Sequence, residues 1–159
     1  MILEVSILPG SKRIKDFIKD FSINPTAFQG LEELEKGKDV WIGTCEAMRF
    51  DLLKVVRRGM RGFRIFKTGY KPTTNLVQLV AQDAKRKVEL DRDGAYRFIS
   101  GQDIELSSDL PPGYVIVTHS GHALGIGKYR EGRLKSQVPR AKRITQYRSS
   151  TSSPYYKSF

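Results

Sequence analysis

Apolar and polar residues recur along the first third of the chain in patterns that predict a strand, two helices and a second strand. Residues 1–8 alternate well enough for a strand. Ser11 is placed to cap a helix whose apolar stripe follows helical spacing, with Ile14, Phe17, Ile18 and Phe21. A shorter helix is predicted from Asn24 to a stop at Gly37, and residues 39–44 have the alternation of a strand.

The middle of the chain predicts short strands and then a helix. Glycines divide residues 54–71, which favours short strands and tight turns. Residues 72–74 are placed to begin a helix. The buried stripe of that helix is expected to be Leu76, Leu79, Val80 and Ala84. The helix is expected to end near residues 85–87.

Beyond this helix the pattern predicts a brief strand at residues 88–90 and one more helix. Asp91 or Asp93 is placed to cap that helix, and Ala95, Phe98 and Ile99 would form its apolar side. Gly101 would end it.

From residue 113 onward the pattern becomes extended. Residues 114–118 are a β-branched run, and residues 123–130 form a second strand after a turn. Gly125 and Gly127 permit the bends of a small, strongly curved barrel. The sequence therefore predicts an α+β protein with a mixed β-barrel and packed helices.

Length and charge narrow the function classes. The chain has 159 residues, 28 of them Lys or Arg and 17 Asp or Glu, so its formal net charge is +11. Such an excess makes a polyanion the expected partner. No apolar run approaches the ~20 residues that span a bilayer, and no signal peptide is apparent, so we expect a cytoplasmic protein without a membrane partner.

The positive charge is concentrated in two segments that contain almost no acidic residue. Residues 54–71 hold seven basic residues and no acidic one, and residues 128–148 hold eight against Glu131. Both segments also contain Gly, Tyr or Thr, residue types that grip phosphate and ribose or stack on bases. For Tyr70 and Tyr129, stacking and half-burial against the barrel remain equal alternatives.

Catalytic signals are weak. Cys45 is followed by Glu46, whose charge would raise the thiol pKa, and a packed structural side chain is the favoured interpretation. His119 and His122 flank a turn without a readable partner, although a pair of proton carriers remains an alternative. Too few Cys and His residues are present for a zinc cage, so we expect no metal and no cofactor.

Two long strings resemble a known family: FKTGYKPTTNLVQLVAQDAKRKVELDRDGAYRFISGQDI and GYVIVTHSGHALGIGKYREGRLKSQVPRAKR. They are similar to the PUA-like RNA-binding domain of the Nop/Sun family of RNA 5-methylcytosine methyltransferases, especially its archaeal form. The resemblance is clear over residues 66–143 and weaker over residues 1–44.

The resemblance implies a PUA-like mixed β-pseudobarrel with packed helices and an N-terminal helical addition. Residues 1–65 would be a helix-and-strand part of the same compact unit, residues 66–148 the RNA-binding core, and residues 149–159 a frayed tail. It also implies a basic RNA-binding groove beside the barrel. The implied RNA contacts are Lys67, Lys71, Thr73, Thr74, Asn75, Lys85, Arg86, Lys87, Lys128, Tyr129, Arg130, Lys135, Arg140, Lys142 and Arg143.

The chain departs from the family's enzymes in its catalytic features. It shows no preceding Rossmann-like domain and no glycine-rich cofactor loop, and Cys45 follows Thr rather than Pro. We therefore expect a non-catalytic protein that binds rRNA or tRNA and is accessory to RNA modification or ribosome assembly. A separate methyltransferase subunit stays open as a partner. Two other classes stay open: part of a methyltransferase system, or a protein-interaction module with an acidic partner.

Overall fold

A computed structural model of the protein describes residues 12–50 and 57–145. The predicted first strand, the Ser11 cap and the predicted tail at residues 149–159 lie outside these ranges. The helices are α1 (Lys12–Phe21), α2 (Cys45–Arg49), α3 (Thr74–Val80) and α4 (Arg92–Ile99), with short 3-10 turns at Pro25–Phe28 and Arg140–Lys142. The strands are β1 (Leu31–Lys36), β2 (Asp39–Thr44), β3 (Met60–Phe66), β4 (Gly69–Pro72), β5 (Lys87–Glu89), β6 (Ile104–Glu105), β7 (Gly113–His119), β8 (His122–Arg130) and β9 (Arg133–Ser136).

The first half of the described chain forms a four-stranded antiparallel sheet in the order β1-β2-β3-β4. Helix α1 packs on it through Ile14, Phe17 and Phe21, as its apolar spacing predicted. The predicted second helix was wrong, because only its first turn is helical and residues 31–36 are strand β1. The two residues Gly37 and Lys38 close a hairpin with β2, and Gly37 takes a positive φ of 64°.

A β-bulge in β3 sets which side chains face away from the core. Val40 pairs with Phe63 and Trp41 pairs with Arg61, so Gly62 has no partner across the ladder. The bulge sends Phe63 inward and Arg61 outward, although residues two apart share a face in a regular strand. A Cβ on Gly62 would meet the Ile42 side chain at 2.5 Å, so a larger residue here would have to displace Ile42.

The second half forms a five-stranded sheet in the order β5-β7-β8-β9-β6. Strands β7, β8 and β9 form an antiparallel meander, and β5 pairs with β7 in parallel. The predicted strands at residues 88–90 and 114–130 are confirmed within about one residue. Gly127 accommodates a close approach, because a Cβ there would meet Leu134 at 2.5 Å.

The two remaining helices were both predicted: α3 lies between β4 and β5, and α4 lies between β5 and β6. Two details of α3 differ from the prediction, namely its end, expected near residues 85–87, and one residue of its buried stripe. Asp91 caps α4 through a side-chain hydrogen bond to Gly94, and Phe98 is buried, as expected. Helix α3 ends at Val80, and the predicted stripe was wrong at Leu79, which is 55% exposed. Val77 takes the buried position instead. No helix among residues 12–50 and 57–145 is both long and apolar enough to cross a bilayer.

Two apolar clusters hold the fold together. The larger joins α1, the inner face of the four-stranded sheet, α3 and one face of the five-stranded sheet, where Ile116 and Ile126 lie. The smaller lies on the opposite face of the five-stranded sheet around Phe98 and Leu134. The predicted α+β class and PUA-like pseudobarrel are confirmed, and the part before the barrel combines helix α1 with a four-stranded sheet.

Candidate nucleic-acid interface

The two sheets bring cations from both basic segments to a common seam. Lys71 on β4 lies opposite Arg64 on β3, and its ammonium group donates a 2.7 Å hydrogen bond to Gln137, which follows β9. Burial lowers the pKa of Lys71 below its ordinary value, and the charges of Arg64 and Lys128 lower it further. Lys71 thus links the outer face of the four-stranded sheet to the five-stranded sheet.

Strand β8 supplies the other side of this seam. Lys128 is exposed and lies between Tyr114 on β7 and Lys135 on β9 in the strand register. Its ammonium nitrogen is 6.0 Å from the centre of the Tyr114 ring, which orients the charge beside an aromatic face. We call Arg64, Lys71, Lys128 and Lys135 the cationic seam.

The cations of the seam have no carboxylate partner within residues 12–50 and 57–145. The ion pairs seen there join Arg49 to Glu32, Arg61 to Asp39 and Arg130 to Glu131. None of the four seam residues takes part in them. Their charges are therefore not neutralised by ion pairs within the described residues, as the acid-poor sequence indicated.

A cleft of about 350 Å³ opens beside the seam, between the end of α1, β4 and the start of β7. Tyr70, Arg86 and Tyr114 line it. The Tyr70 hydroxyl donates a 2.7 Å hydrogen bond to Asp20, and burial, followed by Asp20, raises the pKa of Tyr70. The Arg86 guanidinium donates to the carbonyl oxygens of Pro111 and Pro112, so this predicted contact also anchors a loop.

Several predicted contacts have structural roles. Thr73 caps α3 by accepting a hydrogen bond from the Leu76 amide, and its hydroxyl donates to the Arg61 carbonyl at 2.7 Å. Thr74 is buried against Gly125. Tyr129 is also buried, with its hydroxyl donating to Ser108, so its ring offers no stacking face.

The predicted contacts after β9 also have intramolecular partners. Lys142 donates a hydrogen bond to the side chain of Asn75, which ties the chain after β9 to the start of α3. Arg143 donates to the Val138 carbonyl at 3.1 Å and packs against Gly101. A Cβ on Gly101 would lie 2.4 Å from the Arg143 Nε, and Gly101 has a φ of +84°.

The other predicted contacts are exposed and differ in their distance from the seam. Arg130 continues the exposed side of β8 next to Lys128. Lys67 lies in the turn between β3 and β4. For Lys85, Lys87 and Arg140, no side-chain hydrogen bond or ion pair is present in the described part of the chain.

Three residues of this region were absent from the predicted contacts: Arg64, Tyr114 and Gln137. A signal for Arg64 existed in the sequence, because the two-residue turn Lys67-Thr68 sets the pairing that puts Arg64 opposite Lys71. Gln137 carries no charge and lies after the last strand, so no sequence pattern marked it.

The candidate catalytic residues are held in structural contacts. The Cys45 thiol donates to the Gly30 carbonyl, and its hydrogen bond with Glu32 is the main cause that raises the thiol pKa. His119 Nδ1 lies 2.8 Å from the Leu90 carbonyl oxygen, and His122 is exposed across the turn. Among the described residues, no three His, Cys, Asp or Glu side chains cluster as a metal site requires.

Sequence comparison relates the second half of this fold to a known protein family. Residues 85–144, from just before β5 to just after the last 3-10 turn, match the family described as the methyltransferase RsmF PUA domain. This segment is therefore similar to the PUA domain of the RsmF methyltransferases. This confirms the resemblance to a methyltransferase PUA domain that the sequence strings carried. Strands β1–β4 lie outside the matched PUA segment.

Curated relatives of the PUA segment and its flank are bacterial enzymes named ribosomal RNA small subunit methyltransferase F. The protein from Aeromonas salmonicida is 34% identical over 94 residues, which is 58% of this chain and 19% of that protein. The relative from Shewanella piezotolerans is 34% identical over 89 residues, covering 55% and 18%. The relative from Vibrio cholerae is 29% identical over 108 residues, which is 66% of this chain and 23% of that protein. The chain thus spans about a fifth of their length, and the expected archaeal likeness has no support in these matches.

Proposed function

We propose that the chain binds RNA through the cationic seam and serves as an RNA-binding module in small-subunit rRNA modification. The observation that carries this proposal is that Lys71 lies beside Arg64 and Lys128, and that none of these three cations forms an ion pair within the described residues. The named activity of the relatives indicates the rRNA of the small subunit as the substrate class.

Phosphate is the natural occupant of such a surface. Burial first, and repulsion from Arg64 and Lys128 second, disfavour the charged form of Lys71, as its lowered pKa shows. A phosphate backbone would relieve this repulsion and release its own counterions, so binding would weaken as salt increases. The Gln137 amide and the Tyr114 ring add groups suited to ribose contacts or stacking, which favour RNA in a folded or single-stranded region.

We further propose that this chain is not itself the catalyst but delivers RNA to a methyltransferase, in the cytoplasm. Cys45 has a raised rather than a lowered thiol pKa, which opposes nucleophilic attack on a base. His119 has one ring nitrogen committed to the Leu90 carbonyl. Neither observation favours an active site in the described residues.

A salt titration of RNA binding tests the proposal. A fluorescent hairpin from small-subunit rRNA and a DNA of the same sequence are titrated with the full chain, and anisotropy is followed over a range of salt concentrations. We expect tighter binding to RNA. In the variant Lys128→Gln/Lys135→Gln, the slope of log K against log salt should fall by roughly 1.4–1.8 for two lost phosphate contacts.

The matched control is Lys85→Gln/Lys87→Gln, which removes the same charge from exposed residues that make no side-chain hydrogen bond within the described chain. It should keep most of the affinity and slope. An equal slope in both double variants would show that only net charge matters and would refute the seam as the site. Binding of S-adenosylmethionine in calorimetry would refute the non-catalytic role.

A further inference from the structure

The outer face of the four-stranded sheet carries an aromatic row that the PUA segment does not include. Val40 and Ile42 are buried, so Trp41 between them lies on the opposite face of β2. The strand register places Trp41 between Leu34 on β1 and Arg61 on β3. The Gly62 bulge is what brings Arg61 to this face.

The row is held in place by a short network. The Arg61 guanidinium carbon is 5.6 Å from the Trp41 ring centre, and Arg61 Nε lies 3.3 Å from the Asp39 carboxylate. This arrangement fixes a flat cation against the indole. Leu34 on the other side is 45% exposed, so it presents apolar surface beside the indole.

The next row along the same face leads to the cationic seam. It consists of Lys36, Asp39, Arg64 and Lys71, which are paired in turn across the four strands. Rows on one face of a strand are about 7 Å apart, since each residue rises ~3.4 Å. Trp41 is therefore one row from Arg64 and Asp39, and Arg64 and Lys71 are already part of the seam.

The charges on this face indicate which kind of molecule it would bind. Asp39, the one carboxylate among the residues of the two rows, already pairs with Arg61, whereas Lys36, Arg64 and Lys71 make no ion pair in the described chain. A partly exposed indole beside uncompensated cations is the arrangement with which proteins hold single-stranded nucleic acid, because bases stack on the ring while cations hold the phosphates.

We propose that the Leu34–Trp41–Arg61 row is a stacking platform for an unpaired nucleobase of the RNA held at the cationic seam. This inference rests on the proposed function and extends it to single-stranded RNA. The four-stranded sheet then adds a base contact that residues 85–144 alone would lack.

The test uses the single tryptophan of the chain as its own reporter. The full chain is titrated with an unstructured 12-nucleotide RNA and with an RNA duplex, and Trp41 fluorescence and RNA anisotropy are measured together. We expect the single strand to quench the fluorescence with the same midpoint as the anisotropy. The duplex should bind in anisotropy without comparable quenching.

Variants separate stacking from charge. Trp41→Ala should weaken single-strand binding by about tenfold and leave duplex binding within about twofold, in line with the loss of one stacked base. Trp41→Phe should retain most of the affinity because it keeps an aromatic face. Leu79→Ala is the matched control, since it truncates an exposed apolar residue on α3 and should change neither.

The outcomes distinguish this inference from the proposed function. Salt-dependent binding that leaves Trp41 fluorescence unchanged overturns the platform and leaves the seam intact. Absence of RNA binding overturns both. If Trp41→Ala fails to unfold cooperatively, the quenching of the wild-type chain alone decides, because it needs no substitution.

Discussion

The cationic seam and the segment after β9 both consist of Lys and Arg side chains, but these side chains differ in their partners. In the seam, Lys71 faces two other cations, and among the described residues its ammonium group has only the neutral Gln137 as a hydrogen-bond partner. After β9, Lys142 is bonded to the Asn75 side chain and Arg143 to a backbone carbonyl. The first group retains unbalanced charge, whereas the second uses its donors to hold the chain.

This difference teaches that a basic segment contains two kinds of cation. A side chain whose donors are satisfied within the protein stabilises the fold, and its replacement leaves a backbone carbonyl without a partner. A cation held among like charges lowers the stability of the free protein, and a bound anion removes this cost. Substitutions in the two groups should therefore move stability and RNA affinity in different proportions.

The largest effect is expected for Lys71→Glu. Reversal of this charge places a carboxylate between Arg64 and Lys128, which cancels the potential of the seam and repels phosphate. RNA affinity should fall by about 30-fold, or ~2 kcal/mol, while the free energy of unfolding stays the same or rises. The measurements are RNA anisotropy and urea denaturation.

Lys67→Glu provides the control for this reversal, because it makes the same change four residues earlier in the exposed turn between β3 and β4. It should weaken binding much less. Equal losses in the two variants would contradict a site centred on Lys71.

Arg143→Ala should show the opposite pattern. The variant loses the hydrogen bond to the Val138 carbonyl and the packing on Gly101, which should lower the free energy of unfolding by about 1.5 kcal/mol. RNA affinity of the folded protein should change by less than about twofold. Urea denaturation and anisotropy again measure the two quantities.

Arg140→Ala is the neighbouring control, since Arg140 is exposed and its side chain makes no hydrogen bond within the described chain. It should leave stability unchanged. If Arg143→Ala lost more binding free energy than free energy of unfolding, Arg143 would be an RNA-binding residue.

Thr73→Ala tests whether an uncharged predicted RNA contact stabilises the fold or binds RNA. It removes the cap of α3 and the hydrogen bond to the Arg61 carbonyl, so the free energy of unfolding should fall by about 1 kcal/mol. Thr73→Ser keeps the hydroxyl and should recover most of that loss. If both variants instead lose RNA affinity at unchanged stability, Thr73 is a binding residue.

Local patterns predicted the elements that depend on neighbouring residues. The stripe of α1, the Asp91 cap and the strands around residues 114–130 all follow from spacing within a few positions. Strand β1 was missed because LEELEK has good helix formers, and its pairing with β2 outweighs that preference. Tertiary pairing therefore decided the element that local propensity got wrong.

The candidate site could be predicted only in part, for a related reason. Charge marked Lys71, Lys128 and Lys135, but it marked Arg143 equally well. The distinction depends on which donors find partners across the fold, and Arg61 is turned outward by a bulge at Gly62, which lies close to the Ile42 side chain. Such contacts join residues far apart in sequence, which no local pattern reports.

The smallest predicted effect is a pH dependence that belongs to Lys71. Its pKa in the folded protein lies below the ordinary value of 10.5, so the folded state binds this proton more weakly than the unfolded chain does. Between these two pKa values the unfolded state holds more protons, and the stability of the folded state therefore rises with pH in that window. Below the folded-state pKa, the cost of burying this charge next to Arg64 and Lys128 is fully present.

Lys71→Gln removes this titration. The variant should be more stable than the wild type at neutral pH by about 0.3 kcal/mol, since solvent screens a partly exposed charge. The difference should disappear as the pH rises towards 10.5, because the wild-type lysine then loses its proton. Urea denaturation of both proteins from pH 7 to 10.5 measures this difference, which cancels the titration of the other lysines and tyrosines. A constant difference across the range would mean that Lys71 does not carry an unrelieved charge, and the contrast with Arg143 would lose its electrostatic basis.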